Sequence, residues 1–170
     1  MTKPDKSEYA PYYEMYFNEV PDGDILKTFE EQIEEIKSFF MGIDINKLNY
    51  RYAEGKWSIK EILGHLIDTE RIYAMRALCF SRNETQSLPG FDENKYVMNA
   101  NFSEQSLTSL LGQFELGRKN SLEMFKSFSE EMWLRKGIAN KNIMSVRAVP
   151  LILVGHAAHH MRIIKERYLT

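Results

Sequence analysis

The sequence predicts an all-α protein built as a four-helix bundle. Four segments place apolar residues at spacings of three and four, which is the signature of a helix with one face toward a core. No run alternates with period two between turn signals. The second and third helical segments are separated by the stretch 83–102, too long for a tight turn and suited to a crossover. With 170 residues the chain is expected to form one domain, 1–170, since one core serves chains of roughly 100–200 residues.

Residues 1–20 precede the first helix. They are rich in tyrosine (Tyr9, Tyr12, Tyr13, Tyr16) and punctuated by Pro4 and Pro11, and they read as an arm laid across the bundle with room for a short helical turn. The first helix is expected over 24–41, with Leu26, Phe29, Ile33, Ile36 and Phe40 on its apolar side. Asp22 or Asp24 can cap it and Gly42 can end it. The second runs from Ser58 to about Arg82. Ser58-Ile59-Lys60-Glu61 is a capping box, in which each end residue satisfies a free backbone amide of the other. Along one side of this helix lie Ile62, Leu66, Thr69, Ile72 or Tyr73, and Arg76. The third helix is expected over 103–128, through Leu107, Leu110, Phe114, Ser121 and Phe125. The polar stretch with Gly137 and Asn140-Lys141-Asn142 reads as a turn or short hairpin. The last helix begins between Ser145 and Pro150, where proline is tolerated in a first turn, and ends near Tyr168.

Composition excludes several classes of function. Lys and Arg number 22 against 24 Asp and Glu, leaving a net charge of −2, which does not suit a protein that must neutralise nucleic-acid phosphates. The charges intermix on helix faces, as in Glu34, Glu35 and Lys37. A single cysteine, Cys79, rules out an internal disulfide and reads as a small buried hydrophobe. Residues Met1 to Ala10 are charged and lack the apolar core of a secretory signal. The longest apolar stretch, Ala148 to Ala158, is interrupted by Pro150 and His156 and falls short of the ~20 residues that span a bilayer. A cytoplasmic protein without a membrane partner is therefore expected.

The chemistry concentrates in histidine. Of four histidines, three fall in Gly155-His156-Ala157-Ala158-His159-His160. Residues four apart on a helix share a side, so His156 and His160 can present two imidazoles to one point, on the face that carries Ile152 and Ile163. His65 lies on the apolar side of the second helix, three residues after Ile62 and four before Thr69. Burying three imidazoles in one core is costly unless something binds their lone pairs, and a divalent cation does so. Three protein ligands with one open position is the arrangement of a catalytic zinc site. A surface histidine pair without function is the competing account. His159 also shares a face with His156, but it leaves the Ile152/Ile163 side; it is read as standing behind a ligand or at the rim, and is a further catalytic candidate.

Further site candidates are Asp68, one turn beyond His65, which could fix a ligand's tautomer through its second nitrogen, and Asp92 with Glu93 on the long connection. Glu61 and Glu70 are read as capping and as pairing along the helix. The glutamate that follows the first histidine in the metalloprotease helix motif is absent, its place taken by Ala157. No glycine-rich phosphate loop, serine nucleophile elbow or Cys-x-x-Cys pair occurs.

Three stretches together resemble the DinB-like superfamily, in the branch of YfiT-like proteins named as metal-dependent hydrolases. They are Arg51-Tyr52-Ala53-Glu54-Gly55-Lys56-Trp57-Ser58 with the helix start through Gly64-His65-Leu66, then Leu88-Pro89-Gly90-Phe91-Asp92, and then Gly155 to His160. The resemblance spans nearly the whole chain. It implies a four-helix bundle with zinc or nickel on His65, His156 and His160, a homodimer, and a small-molecule substrate. Hydrolysis and thiol-S-transfer with a low-molecular-weight thiol both occur as readings for such relatives. Several of them carry glutamate where this chain has Ala157, so no base is expected there. The alternative is a non-catalytic bundle whose metal, if any, is structural.

Overall fold

Three of the four long helices start at a residue whose side chain caps them. In a computed structural model that describes residues 3–170, Asp24 accepts the Leu26 amide to open α2 (Ile25–Met41). Ser58 and Glu61 close the expected capping box on α3 (Ile59–Ser81), and Ser106 accepts the Ser109 amide to open α5 (Leu107–Lys126). The last helix, α7 (Ala148–Arg167), begins without a side-chain cap and carries Pro150 in its first turn. The remaining helices are short: α1 (Glu14–Phe17) in the arm, α4 (Glu93–Asn99) in the crossover and α6 (Glu130–Leu134). The polar stretch after α6 is an antiparallel hairpin, β1 (Lys136–Ala139) and β2 (Asn142–Ser145), with Asn140 and Lys141 at positive φ in its turn. The third helix starts four residues later than its periodicity suggested, because Phe102–Glu104 forms a separate 3-10 turn.

Contacts between helices reveal the bundle's order. Lys60 on α3 donates to the Ser103 and Gln105 carbonyls, and further along Arg71 reaches Gln113 and Glu70 reaches Arg118, so α3 and α5 run parallel. Likewise α2 runs parallel to α7, with Gln32 bonded to the Val154 carbonyl and Lys165 over the Phe39 ring. The pairs α2/α5 and α3/α7 are antiparallel, as shown by Glu30 opposite Lys126 and Lys37 opposite Glu115 in one, and by Trp57 opposite Tyr168 and His65 opposite His156 in the other. Parallel neighbours cannot be joined by a tight turn. This is the physical reason for the long crossover between α3 and α5, which the sequence expected.

Two apolar clusters fill the interior. One gathers Phe29, Phe80, Phe125, Met144 and Ile152 under the arm and hairpin; the other gathers Ile36, Phe40, Leu63, Phe114 and Ile164. Cys79 is half-buried, not fully buried, with Sγ 3.7 Å from the Met75 sulfur. The arm packs tightly on α7 because Gly155 is there: a Cβ at that position would stand 2.0 Å from the Tyr16 carbonyl oxygen. In the same way Gly64 lets the Phe102 ring of the crossover lie directly on α3, where a Cβ would meet it at 2.3 Å. Both glycines immediately precede a histidine of interest. Among the described residues no helix is long and apolar enough to cross a membrane.

A candidate metal centre between two antiparallel helices

His65 projects from α3, and His156 and His160 project from α7, one helical turn apart. The antiparallel packing of these helices brings the three rings together: His156 Nε2 lies 3.0 Å from His65 Nε2 and 3.0 Å from His160 Nε2. Ring centroids are 4.5 to 5.2 Å apart. His65 and His156 are buried and His160 is half-buried. Burial pushes the His65 pKa down to about 4 and holds His156 and His160 well below the ordinary imidazole value, the neighbouring rings adding to the effect. All three are therefore neutral near pH 7, with lone pairs free for a ligand bond.

The donor set suits a cation better than it suits itself. A neutral ring nitrogen carries either one hydrogen or one lone pair, so His156 Nε2 can satisfy only one of its two Nε2 neighbours. A cation accepting all three lone pairs satisfies every contact at once. The candidate ligand atoms lie within 4.8 Å of one another, and nitrogens in a tetrahedral zinc shell stand roughly 3.4 Å apart, so the three histidines fit a metal with small adjustment.

The other expected residues are placed differently. Asp68 is paired with Arg71 at 3.2 Å on the same helix, and burial raises its pKa. Asp92 is exposed and caps α4, accepting the Lys95 amide at 3.1 Å; it is Glu93 that reaches the wall of the neighbouring cavity. His159 also stands on that wall, at the edge of the Tyr16 ring, outside the trio. Its Nδ1 faces the Arg162 guanidinium at 3.2 Å, and since arginine can only donate, the ring proton of neutral His159 belongs on Nε2. Glu61 caps α3 as expected. Glu70 does not pair along its helix: it is buried and bonds across the bundle to Arg118 on α5 at 2.9 Å. Ala157 lies in the apolar core, so this chain has no acid beside His156.

A cavity of about 690 Å³ opens over the three histidines. The arm contributes Tyr12, Tyr13 and Tyr16, the segment before α3 contributes Trp57, and the hairpin tip contributes Asn140 and Asn142. Trp57 packs its ring 4.7 Å from that of His65, and Tyr16 sits edge-on to His156 at 5.2 Å. Reasoning from sequence missed this wall. The sequence carries a signal for part of it, since Thr69, Tyr73 and Arg76 continue the stripe of His65 at helical spacing and are polar on an otherwise apolar side.

Fold and site together define a four-helix bundle with a three-histidine cluster at the base of an aromatic cavity. The chain belongs to the DinB superfamily, whose sequence profile matches residues 28–164. It is 24% identical over 162 residues to "Putative metal-dependent hydrolase OB0413" of Oceanobacillus iheyensis, across 86% of this chain and 89% of that one. Its fold is similar to that of YfiT from Bacillus subtilis, described as "a probable metal-dependent hydrolase with an unusual four-helix bundle topology". The TM-score is 0.74 at 16% sequence identity, covering 97% of this chain and 90% of YfiT.

Proposed function

We propose that this protein is a metal-dependent enzyme in which His65, His156 and His160 hold one divalent ion, zinc or nickel, facing the cavity. The observation that carries the reading is the convergence of three neutral imidazole nitrogens at the floor of a cavity large enough for a small substrate. When bound, such an ion lowers the pKa of water or of a thiol, so that an anion is available near neutral pH. The protein's own part is to position and to exclude water. Tyr16 and Trp57 pack against the histidine rings and hold their planes, and the arm roofs the cavity. Proton traffic falls to His159, with its Nε2–H, and to Glu93, the one carboxylate on the described cavity wall.

Hydrolysis agrees with the names of the relatives; transfer of a low-molecular-weight thiol uses the same floor. A cavity beside the three histidines leaves room for a reactant, which a purely structural ion does not need. Metal content measured by mass spectrometry on untagged protein tests the reading. Near-stoichiometric zinc or nickel that His65→Ala and His160→Ala both abolish is the expected result. Protein that stays metal-free after incubation with both ions overturns it. Turnover of ester and amide panels, set against thiol conjugation to monochlorobimane, then separates the two reactions.

A further inference from the structure

Arg76 is the least expected residue in the cavity wall. It sits on α3 at the end of the stripe His65, Thr69, Tyr73, Arg76, and the residue is 2% exposed. A guanidinium in so dry a place normally carries a carboxylate partner, because an isolated buried charge is costly. The same helix shows the normal case at Glu70, which pairs with the buried Arg118. Among the described residues no carboxylate pairs with Arg76. Its Nη2 donates to the Pro89 carbonyl of the crossover at 3.1 Å, and its Nε has no protein hydrogen-bond partner. The guanidinium carbon lies 4.8 Å from the Tyr73 ring centroid and 6.0 Å from that of Phe91, so aromatic faces fix its plane. Two turns nearer the histidines, the buried Thr69 hydroxyl also lines the cavity and also lacks a protein partner.

We propose that Arg76 forms a subsite for the carboxylate of an elongated organic substrate whose reacting end lies at the three histidines and whose body passes the Thr69 hydroxyl. The proposal deepens the metal-enzyme reading and rests on it for the position of the reacting end, but not for the carboxylate site itself. A carboxylate supplies the missing counter-charge and accepts the idle Nε–H in the plane that guanidinium offers. Its single charge matches a single arginine. A phosphomonoester dianion would keep excess charge in a cavity that also holds Glu93. The eleven residues from His65 to Arg76 span roughly 16 Å of helix axis, and the arginine side chain folds back toward Tyr73. The two ends of the ligand are thus separated by about two helical turns, and Tyr13, Tyr73 and Phe91 offer its middle an aromatic, apolar surface.

The test uses 4-phenylbutyrate, its neutral isostere 4-phenylbutyramide, and 3-phenylpropyl phosphate, titrated calorimetrically into the full chain with metal stripped by chelation and again with zinc restored. Stripped protein keeps the carboxylate from binding the ion instead of the arginine. The expected result is saturable binding of the carboxylate to stripped protein, at least tenfold weaker binding of the amide, and retention of binding in His65→Ala. Arg76→Met should lose at least tenfold and Arg76→Lys should recover part of it. Because loss of a buried guanidinium can itself cost the fold, the parent protein carries an independent readout: the ¹⁵N-coupled Nε–H resonance of Arg76 should move downfield on adding 4-phenylbutyrate. Acid and amide binding alike, no saturation at millimolar ligand, or an unmoved Nε–H would each overturn the subsite. Tighter binding of the phosphate ester would overturn the carboxylate assignment. Metal failure with intact carboxylate binding would sink the proposed function alone.

Discussion

Two polar clusters hang on opposite sides of α3, and they solve the problem of burial in opposite ways. Toward α5, Arg118 donates from Nε to Glu70 and from Nη1 to Gln32, each at 2.9 Å, and Gln32 passes the chain on to the Val154 carbonyl of α7. Phe29 and Phe114 flank the guanidinium at 4.0 and 5.1 Å. That knot ties all four long helices together with its two charges paired, although Glu70 Oε1 is left without a hydrogen-bond partner. Toward α7, the three histidines point their nitrogens at one another without enough hydrogens to go round, and a cavity opens over them. A buried cluster whose charges cancel internally holds a fold together; one whose lone pairs converge beside a cavity waits for a ligand.

The contrast can be broken most sharply at the knot. Glu70→Ala leaves the Arg118 charge buried and unpaired, so unfolding in urea should show a loss of about 3–5 kcal/mol, the same with and without metal. A much smaller loss would mean that the knot is not the self-contained element described. Acidity should act on the histidines instead. The folded His65 pKa of about 4 lies below the value of about 6.5 for an unfolded chain, so the unfolded state binds the proton first. Its contribution to stability is complete above about pH 6.5 and is lost as pH falls toward 4, roughly 3 kcal/mol for His65 alone. Urea midpoints of stripped protein across that window should fall steeply, and His65→Ala should flatten the fall. Next in size, zinc at about a hundred times its dissociation constant should stabilise the parent by about 2.7 kcal/mol in thermal melts, and this increment should vanish in His160→Ala. The smallest effect belongs to the helix both clusters share. Ser58→Ala removes the α3 cap and should cost about 1 kcal/mol in urea while leaving zinc affinity unchanged; a change in affinity would show that the cap also positions His65.

Much of this was legible in the chain because it is governed by local rules. Ser58 and Glu61 announce the start of α3 through their spacing alone, and His156 and His160 must share a face wherever their helix lies. Their convergence with His65 could be suspected because all three sit on apolar sides. Glu70 and Arg118 were not legible as a pair: 48 residues separate them, and either could have been a surface charge. Asp92 and Glu93 are adjacent in sequence, yet Asp92 is used to cap α4 and Glu93 faces the cavity, a choice made by where the crossover folds.

By itself, then, the sequence determined the four long helices, the caps of α2 and α3, a turn at Asn140-Lys141 and the identity of the three histidines, because each follows from periodicity, from a side chain reaching a nearby amide, or from four-residue spacing. Only the tertiary structure decided that α3 and α5 run parallel, that Gly155 lets the tyrosine arm roof the histidines, and that Arg76 faces a cavity without a carboxylate partner. Those features depend on which surfaces meet across the bundle, and no local spacing encodes that.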